Sequence, residues 1–256
     1  MLSGGIDSSL IVSLMQEHSS TKINTFTIGF TESNYDEARF AKKIAEHLNT
    51  EHTELYVEPQ QAINLIPKIP YIYDEPFGDS SQIPTIIISE LTSKSVKVCL
   101  SGDGGDELFG GYNRYIFSDK LLNISKFNKF LISSSLKALS VTNLEKLYNL
   151  LNGFIPSSYH LAIPSEKFEK IKNTIDLKSI KSIYKQLSLT SRDSKNFIIN
   201  DDYYDHIEDK WNFNSKISED EISCMMFTDI NTYLTDDILC KIDRAAMSNS
   251  LETRVP

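Results

Sequence analysis

The stretch Ser-Gly-Gly-Ile-Asp-Ser-Ser at residues 3–9 determines how the rest of this sequence is interpreted. Met1 and Leu2 precede it and are predicted to end a strand. The apolar residues behind it have the spacing of one helix face: Leu10, Ile11, Leu14 and Met15. A glycine pair between strand and helix lets an anion approach backbone N–H groups and the positive helix N-terminus. The stretch therefore predicts a phosphate-binding loop, with a Ser- or Asp-capped helix behind a glycine turn as the alternative.

The spacing of the glycines and the charge of Asp7 indicate which type of phosphate-binding loop this is. Neither the Walker loop nor the dinucleotide loop has its glycines at these positions. Asp7 places a carboxylate beside the predicted phosphate site, and that contact is repulsive unless a cation lies between the two groups. The loop therefore predicts a nucleotide bound together with Mg²⁺.

A second glycine-rich loop, Ser-Gly-Asp-Gly-Gly-Asp-Glu, lies at residues 101–107. Val96, Val98 and Leu100 in front of it predict a buried strand. Its three carboxylates, those of Asp103, Asp106 and Glu107, repel one another without a metal ion or an ammonium group nearby. A solvated acidic turn that caps the next helix is the alternative.

Strand and helix signals alternate over the first 110 residues. Strands are predicted at 25–29 and 52–57, and helices at 36–48, 59–69 and 84–93. This order predicts an α/β fold with a doubly wound, mostly parallel sheet. In the usual strand order, the loops at 3–9 and 101–107 would face each other across a crevice, where Asp7 and Asp106 could share one Mg²⁺ ion.

Strand signals nearly vanish after Tyr112, and apolar residues recur at helical spacing over 121–151 and 218–239. The sequence therefore predicts a nucleotide-binding α/β region at 1–112 and a mainly helical region at 113–256.

Composition excludes several classes of protein. The 256 residues carry a net charge of −9, with 26 Lys and Arg against 35 Asp and Glu, which disfavours a nucleic-acid partner. Apolar runs are shorter than the roughly 20 residues of a membrane-spanning helix, and the start lacks the pattern of a signal peptide. The three cysteines lack a Cys-x-x-Cys pair and are expected to be reduced thiols. A cytoplasmic protein without a membrane partner is predicted.

Three segments together resemble the synthetase domain of glutamine-hydrolysing asparagine synthetases, in the pyrophosphate-loop ATPase superfamily with its adenine nucleotide α-hydrolase-like fold. They are Leu-Ser-Gly-Gly-Ile-Asp-Ser-Ser at 2–9, Asp-Glu-Pro-Phe-Gly-Asp-Ser-Ser at 74–81 with Leu-Ser-Gly-Asp-Gly-Gly-Asp-Glu-Leu-Phe-Gly-Gly-Tyr at 100–112, and Lys-Ile-Asp-Arg-Ala-Ala-Met-Ser-Asn-Ser-Leu-Glu-Thr-Arg-Val-Pro at 241–256. The first loop alone would indicate only the wider superfamily. The combination spans the chain.

The resemblance implies a role for each matching residue. ATP would be held by Leu2, Ser3, Gly4, Gly5, Asp7, Ser8, Ser9, Ile28, Ser101 and Gly102. Asp103 matches an acidic residue that the family needs to form the acyl-adenylate, and Asp7 with Asp106 resemble Mg²⁺ ligands. The amino-acid substrate would be approached by Asp79, Ser80, Ser81 and Arg244. For the segment 79–81, a plain Pro-Gly-Ser turn is the alternative.

The implied reaction forms asparagine in two steps. The aspartate side chain is adenylated to β-aspartyl-AMP with release of pyrophosphate, and ammonia then displaces AMP. The resemblance is also compatible with a homodimer. Two other functions stay open: a ligase for another carboxylate, such as a sugar acid or a peptide, and an inactive nucleotide-binding fragment.

The sequence also departs from the family pattern. Leu2 follows Met1 where the family's glutaminase domain has its cysteine, and the sequence stops in the Arg-Val-Pro stretch, before the family's nucleotide-contacting lysine. No glutaminase activity is expected, so ammonia would come from solution or from a separate glutaminase domain or subunit. We also expect weak or absent asparagine formation by residues 1–256 alone, with ATP binding retained.

Overall fold

A computed structural model describes residues 1–30, 36–138, 141–151, 164–189 and 220–255. The chain is a mixed α/β protein that divides into two compact units. The first unit contains Met1–Gly111 and Asp229–Pro256, and the second contains Tyr112–Thr228. The division near residue 112 lies where the sequence placed a boundary, but residues 229–256 group with the first unit.

The first unit contains two short parallel sheets. In one, β1 (Asn24–Phe30) pairs with β2 (Glu51–Val57), and in the other, β3 (Val98–Leu100) pairs with β4 (Glu252–Arg254). The strands predicted at 25–29, 52–57 and 96–100 are confirmed with small shifts of their ends. Strand β4 was not predicted, because three residues carry too little periodicity to signal a strand.

Met1 and Leu2 lie beside both sheets. The backbone N–H of Leu2 donates to the carbonyl of Phe26 in β1 at 2.9 Å, and the backbone nitrogen of Met1 lies 2.6 Å from the carbonyl of Leu100 in β3. The hydroxyl of Thr27 donates to the carbonyl oxygen of Leu2. The backbone that leads into the first loop is therefore fixed on either side by residues distant in sequence.

Seven helices of the first unit have the following bounds: α1 (Ile6–Glu17), α2 (Ala38–Leu48), α3 (Pro59–Leu65), α4 (Ile69–Tyr73), α5 (Gln82–Ser93), α6 (Gly105–Phe109) and, at the far end of the sequence, α13 (Leu239–Met247). A 3₁₀ turn at Ile66–Lys68 separates α3 from α4, so the single helix predicted over 59–69 is divided. A π-helical segment at Ile230–Ile238 precedes α13. The π-helix is rare, and it occurs frequently at functional sites.

The core of the first unit forms where the helices cover the strands. One buried cluster joins β2, α3, α4, α5 and α13: Val57, Leu65, Tyr73, Ile86, Ile87 and Ala245. A second joins the first loop to α1 and α2: Leu2, Val12, Ala41 and Ala45. A third lies beside β3: Cys99, Ala246 and Leu251.

Two predicted apolar faces are wrong. On α1, Leu10 and Leu14 are about half exposed (52% and 47%), whereas Ser8 and Val12 are buried. The small residues Ala41 and Ala45 of α2 approach α1 on the side that carries Val12. On β3, Val98 is 46% exposed and Cys99 is buried, since neighbouring residues of a strand point to opposite faces.

The second unit is helical where the structure describes it. Its helices are α7 (Asn113–Leu122), α8 (Lys126–Ala138), α9 (Val141–Leu151), α10 (Pro164–Thr174), α11 (Ile180–Ser188) and α12 (Glu221–Asp229), the last of which ends one residue beyond the unit. Buried side chains form two clusters: Tyr115, Ile180, Tyr184 and Met225, and Leu121, Ile175 and Ile183. Among the described helices of the whole chain, none is long and apolar enough to cross a membrane.

Candidate active site

A cleft of about 510 Å³ opens beside the first loop in the first unit. Ten of the predicted nucleotide, metal and catalytic residues line it: Leu2, Ser3, Gly5, Asp7, Ser8, Ile28, Ser101, Gly102, Asp103 and Asp106. Six further residues complete the lining: Met1, Thr27, Phe30, Glu37, Pro84 and Ile88. The lining comes from both glycine loops, from β1 and from α5, so residues up to 105 positions apart in sequence border one space.

Serine hydroxyls hold the first loop in shape. Ser8 Oγ lies 3.0 Å from Ser3 Oγ, accepts from the backbone N–H of Ser3 at 3.3 Å and donates to the carbonyl of Gly5 at 3.3 Å. The N–H of Gly5 donates in turn to Ser3 Oγ at 3.2 Å, and Ser9 Oγ donates to the Gly5 carbonyl at 2.5 Å. These bonds bring the chain directly into α1, whose first N–H groups have no acceptor within the helix. The positive end of α1 lies beside Asp7 and Ser8.

Two predicted ATP-binding residues, Gly4 and Ser9, do not line the cleft. Gly4 has a φ of +88°, and a Cβ at this position would lie 2.8 Å from the backbone nitrogen of Ala41 and 2.9 Å from Phe40 Cβ. Glycine is required here for the turn and for the close approach of α2. Ser9 makes its hydroxyl bond within the loop.

The second loop packs directly against the first. A Cβ on Gly102 would lie 2.9 Å from the backbone nitrogen of Ser8, and one on Gly105 would lie 2.5 Å from Asp7 Cγ. Only glycine allows this approach at both positions. The sequence prediction that the two loops face each other agrees with these contacts.

The cleft is acidic. Four carboxylates line it, those of Asp7, Glu37, Asp103 and Asp106, and no Lys or Arg of the described residues does. The described residues also contain no group of three His, Cys, Asp or Glu side chains placed to hold a metal ion. Ser101 is buried, and its Oγ has no hydrogen-bond partner. A buried hydroxyl at the wall of a cleft fits a ligand that supplies the missing bond, and the carboxylates fit a phosphate ligand only with a cation between them.

Sequence reasoning missed Phe30, Glu37, Pro84 and Ile88 in this lining. Pro84 and Ile88 are four residues apart on α5 and therefore share one helix face, which their spacing could have indicated. Phe30 follows Ile28 by two positions on β1 and lies on the same face of the strand. Glu37 gave no signal, because only tertiary packing brings the start of α2 to the cleft.

The predicted substrate residues Asp79, Ser80, Ser81 and Arg244 lie outside the cleft lining. Lys241 Nζ donates to Asp79 Oδ2 at 2.6 Å and to Ser81 Oγ at 2.7 Å. Asp79 Oδ1 also accepts from the backbone N–H of Ser81 at 2.8 Å. The segment 79–81 is thus bound to α13 through one lysine that is only 8% exposed, and Ser80 is exposed.

Tyr73 and Asp237 belong to the same group of side chains. We call the five residues Lys241, Asp79, Ser81, Tyr73 and Asp237 the Lys241 cluster. The hydroxyl of Tyr73 donates to the carbonyl of Lys241 at 3.1 Å, and burial raises the pKa of Tyr73. Burial also raises the pKa of Asp237, reinforced by the charge of Asp79, and Asp237 Oδ1 is buried without a hydrogen-bond partner.

Asp79 differs from Asp237 in the direction of its pKa shift. Burial alone would raise the pKa of Asp79, but the hydrogen bonds from Lys241 and Ser81 outweigh burial and hold this pKa below its usual value. The ammonium group of Lys241 therefore stabilises the charged form of Asp79 much more than that of Asp237.

Arg244 occupies an exposed site. Its guanidinium donates to Asp74 in an ion pair whose side chains are 46% and 70% exposed. Exposed pairs of this kind contribute little to stability. The pair joins α13 to the residue that ends α4, and its location gives no support to substrate contact by Arg244.

Comparison with known proteins identifies similar sequences over the whole chain. The family model described as asparagine synthase matches residues 1–256. "Asparagine synthetase [glutamine-hydrolyzing] 1" of Bacillus subtilis is 35% identical over 263 residues, which cover 100% of this chain and 38% of the relative. "Putative asparagine synthetase [glutamine-hydrolyzing] 2" of Methanocaldococcus jannaschii is 46% identical over 131 residues, or 51% of this chain and 25% of the relative. The chain thus spans well under half of the length of the relatives it matches.

Proposed function

Because the chain belongs to the asparagine synthase family, we propose that it activates the side chain of aspartate with ATP for amide formation by ammonia. The observation that carries this proposal is the single cleft bordered by both glycine loops. We propose Leu2, Ser3, Gly4, Gly5, Asp7, Ser8, Ser9, Ile28, Ser101 and Gly102 as the ATP-binding residues. Gly4 and Ser9 would act by shaping the loop, since neither lines the cleft.

In the proposed reaction, an oxygen of the aspartate side-chain carboxylate attacks the α-phosphorus of ATP, and the bond from that phosphorus to the bridging oxygen of pyrophosphate breaks. Ammonia then attacks the acyl carbon of β-aspartyl-AMP, AMP leaves, and the nitrogen loses a proton to give asparagine. The first turn of α1 and the hydroxyl of Ser101 would contact the phosphates and stabilise charge that develops on them. Asp103 is proposed as the acidic residue needed for adenylate formation.

The residues at the cleft fit a nucleotide that arrives with a cation. Asp7 and Asp106 would hold Mg²⁺, which when bound supplies positive charge to the phosphates. Without it, the carboxylates of the cleft would repel a triphosphate.

We also propose three broader features of the protein, which concern its sheet, its two regions and its location. We propose that the two short sheets belong to one doubly wound sheet, because the backbone at Met1 and Leu2 bonds to both. Residues 1–112 are proposed as the nucleotide-binding region, since every residue of the cleft lining lies there, and 113–256 as the region that completes the synthetase. A cytoplasmic location is proposed because the cysteines Cys99, Cys224 and Cys240 are free thiols, as expected in a reducing compartment.

The names of the relatives describe glutamine-hydrolysing enzymes. We therefore propose that the ammonia derives from glutamine at a glutaminase domain or subunit outside residues 1–256.

An exchange assay tests the proposal. The 256-residue protein is incubated with ATP, MgCl₂ and labelled pyrophosphate, with aspartate or with one of a panel of other carboxylic acids. Label should enter ATP only when aspartate is present, and Asp103→Asn should lower this exchange at least about hundredfold, the size of a lost electrostatic contact to a transition state. Glu46→Gln, a change of the same charge at an exposed position of α2, should leave exchange unaltered.

Stronger exchange with another acid would contradict aspartate as the substrate. ATP binding without exchange for any acid would contradict adenylation by residues 1–256 and indicate that this chain by itself only binds nucleotide.

A further inference from the structure

The first part of the second unit, residues 112–189, differs sharply in charge from the rest of the chain. Residues 112–189 carry twelve Lys and Arg against five Asp and Glu, a net charge of +7, whereas the remaining residues carry −16. An overall charge of −9 conceals this contrast. A local excess of positive charge attracts anions and raises their concentration at the surface.

Part of this charge lines a groove of about 530 Å³ between α7, α10 and α11. Its cations are Arg114, Lys120, Lys167 and Lys170. Its apolar wall consists of Ile116, Phe117, Ile171 and Leu187. We call this feature the cationic groove. No Asp or Glu of the described residues lines it.

Helical spacing explains why these side chains share one surface. Ile116 and Lys120 are four residues apart on α7, and Lys170 and Ile171 lie three and four residues after Lys167 on α10. Both α7 and α10 therefore present apolar and cationic groups to the groove, and α11 adds Leu187. Long lysine stems can pack along the apolar wall while the ammonium groups surround an anion at its mouth.

Within the described ranges, the lysines of the groove have no counterion. Across the part of the chain that the structure describes, Lys120, Lys167 and Lys170 form no ion pair. Asp119, the acid adjacent to Lys120, accepts a hydrogen bond from Asn123 at 3.0 Å instead. The guanidinium of Arg114 lies 4.0 Å from the centre of the Tyr112 ring, which holds its charge at the groove. Clustered cations repel one another, and a bound anion reduces that repulsion.

We propose that the cationic groove binds a small organic anion that joins an apolar body to a phosphate or carboxylate group. The volume is typical of small-molecule sites, which bury an apolar body and fix it with a few charged groups. Ile116 and Phe117, 51% and 38% exposed, would be covered by the body of this ligand. A nucleic acid is less suited, because a phosphate backbone would leave the apolar wall uncovered. This site is separate from the proposed aspartate-activating cleft, since the two lie in different units and share no residue.

Calorimetric titration of the 256-residue protein tests this proposal. Octyl phosphate and octanoate, both below their micelle concentrations, combine a chain with each acidic group. Inorganic phosphate supplies the charge alone and octyl glucoside the chain alone. We expect saturable binding of at least one octyl anion, with an affinity at least tenfold higher than that of inorganic phosphate or octyl glucoside. Comparison of the two octyl anions shows which acidic group the groove prefers.

Two double variants separate the groove from general surface charge. Lys167→Gln with Lys170→Gln should weaken octyl-anion binding at least tenfold. Lys172→Gln with Lys178→Gln removes the same charge from the same unit at exposed positions outside the groove, and should change binding less than twofold. Circular dichroism checks that both variants are folded.

Four results would overturn the proposal: no saturable binding of either octyl anion, an equal loss in both double variants, inorganic phosphate binding as well as the octyl anions, or a single-stranded oligonucleotide binding at the groove in their place. The last result would assign the groove to nucleic acid.

Discussion

The acidic cleft and the Lys241 cluster both contain carboxylates, but they differ in whether a protein cation balances the negative charge. In the cleft, Asp7, Asp103 and Asp106 face a space without a lining lysine or arginine. In the cluster, Lys241 lies 2.6 Å from Asp79 and satisfies it internally. The difference suggests that the cleft depends on charge from a ligand, whereas the cluster stabilises the fold and holds the segment 79–81 on α13. Four predictions test this contrast, from the largest expected effect to the smallest.

Replacement of the cluster's cation should cause the largest loss of stability. Lys241→Met removes the cation from Asp79, whose side chain is only 18% exposed, and loss of one member of a largely buried pair costs about 3–5 kcal/mol in the free energy of unfolding. Urea denaturation measures this change. The control is Arg244→Met on the same helix, where the exposed pair with Asp74 predicts a far smaller loss. Equal effects of the two substitutions would contradict a structural role for the cluster.

Removal of a carboxylate from the cleft should alter ligand binding rather than stability. With MgCl₂ present, Asp7→Asn should weaken ATP binding about tenfold to hundredfold, the effect of one lost contact to a charged group at about 1.5–3 kcal/mol. With the metal removed by a chelator, the same substitution should strengthen ATP binding, because one source of repulsion is gone.

Calorimetric titration with ATP in both conditions measures this reversal. Glu17→Gln, near the other end of α1, is the matched control and should change neither titration. A loss of the same size with and without Mg²⁺ would show that Asp7 does not act through the metal.

The close packing of the first loop predicts a smaller loss of stability. Gly4→Ala forces a side chain into the left-handed region, at a φ of +88°, and against the backbone of Ala41 at 2.8 Å. Such strain costs about 1–3 kcal/mol. Gly78→Ala is the matched control, because a Cβ there meets no atom within 4 Å. Thermal denaturation of the two variants compares them, and equal midpoints would mean that the loop relaxes to accept the side chain.

The smallest effect concerns pH and the two carboxylates of the cluster. The pKa of Asp237 is raised from its usual 3.8, so the folded protein holds this proton more tightly than the unfolded chain does. The stability that Asp237 contributes is therefore fully present below pH 3.8 and is lost as the pH rises through the higher, folded pKa. The pKa of Asp79 is lowered from 3.8, so its contribution is present above that value and is lost as the pH falls through its folded pKa.

Asp237→Asn should accordingly raise the free energy of unfolding at pH 7, by less than about 1 kcal/mol for a group still partly in water. The gain should disappear below about pH 3.8, because the wild-type Asp237 is then mostly protonated in both the folded and the unfolded protein. Urea denaturation across this range measures it. A gain that persists unchanged at low pH would assign the effect to packing instead of charge.

Much of the cleft could be predicted from the sequence because its chemistry is local. Residues 3–9 and 101–107 each carry their glycines, hydroxyls and carboxylates within seven positions, so each loop could be recognised without knowledge of the fold. The strand before the second loop followed from its apolar residues, although the short β3 exposes Val98 and buries Cys99. Met1 and Leu2, predicted to end a strand, do not form one in the structure. The contribution of Glu37 could not be predicted, because it depends on where α2 begins relative to β1.

The Lys241 cluster shows the other limit. Asp79 and Lys241 are 162 positions apart, and neither segment signals its partner. The sequence predicts substrate contact for the segment 79–81 and does not indicate its pairing with Lys241, which the structure shows. Nothing in residues 113–256 predicted that residues 229–256 would join the first unit and add strand β4 to β3.

The sequence by itself determined the chemistry of this protein: two glycine loops with acidic residues, α/β alternation before residue 112 and helices after it. Short-range rules of turn geometry, strand alternation and helical period govern these features. Only the tertiary structure decided which carboxylates line the cleft, which one is neutralised by Lys241 and which helix faces are buried. Burial and charge pairing depend on residues that the chain brings together from distant positions, and their energies follow from that environment.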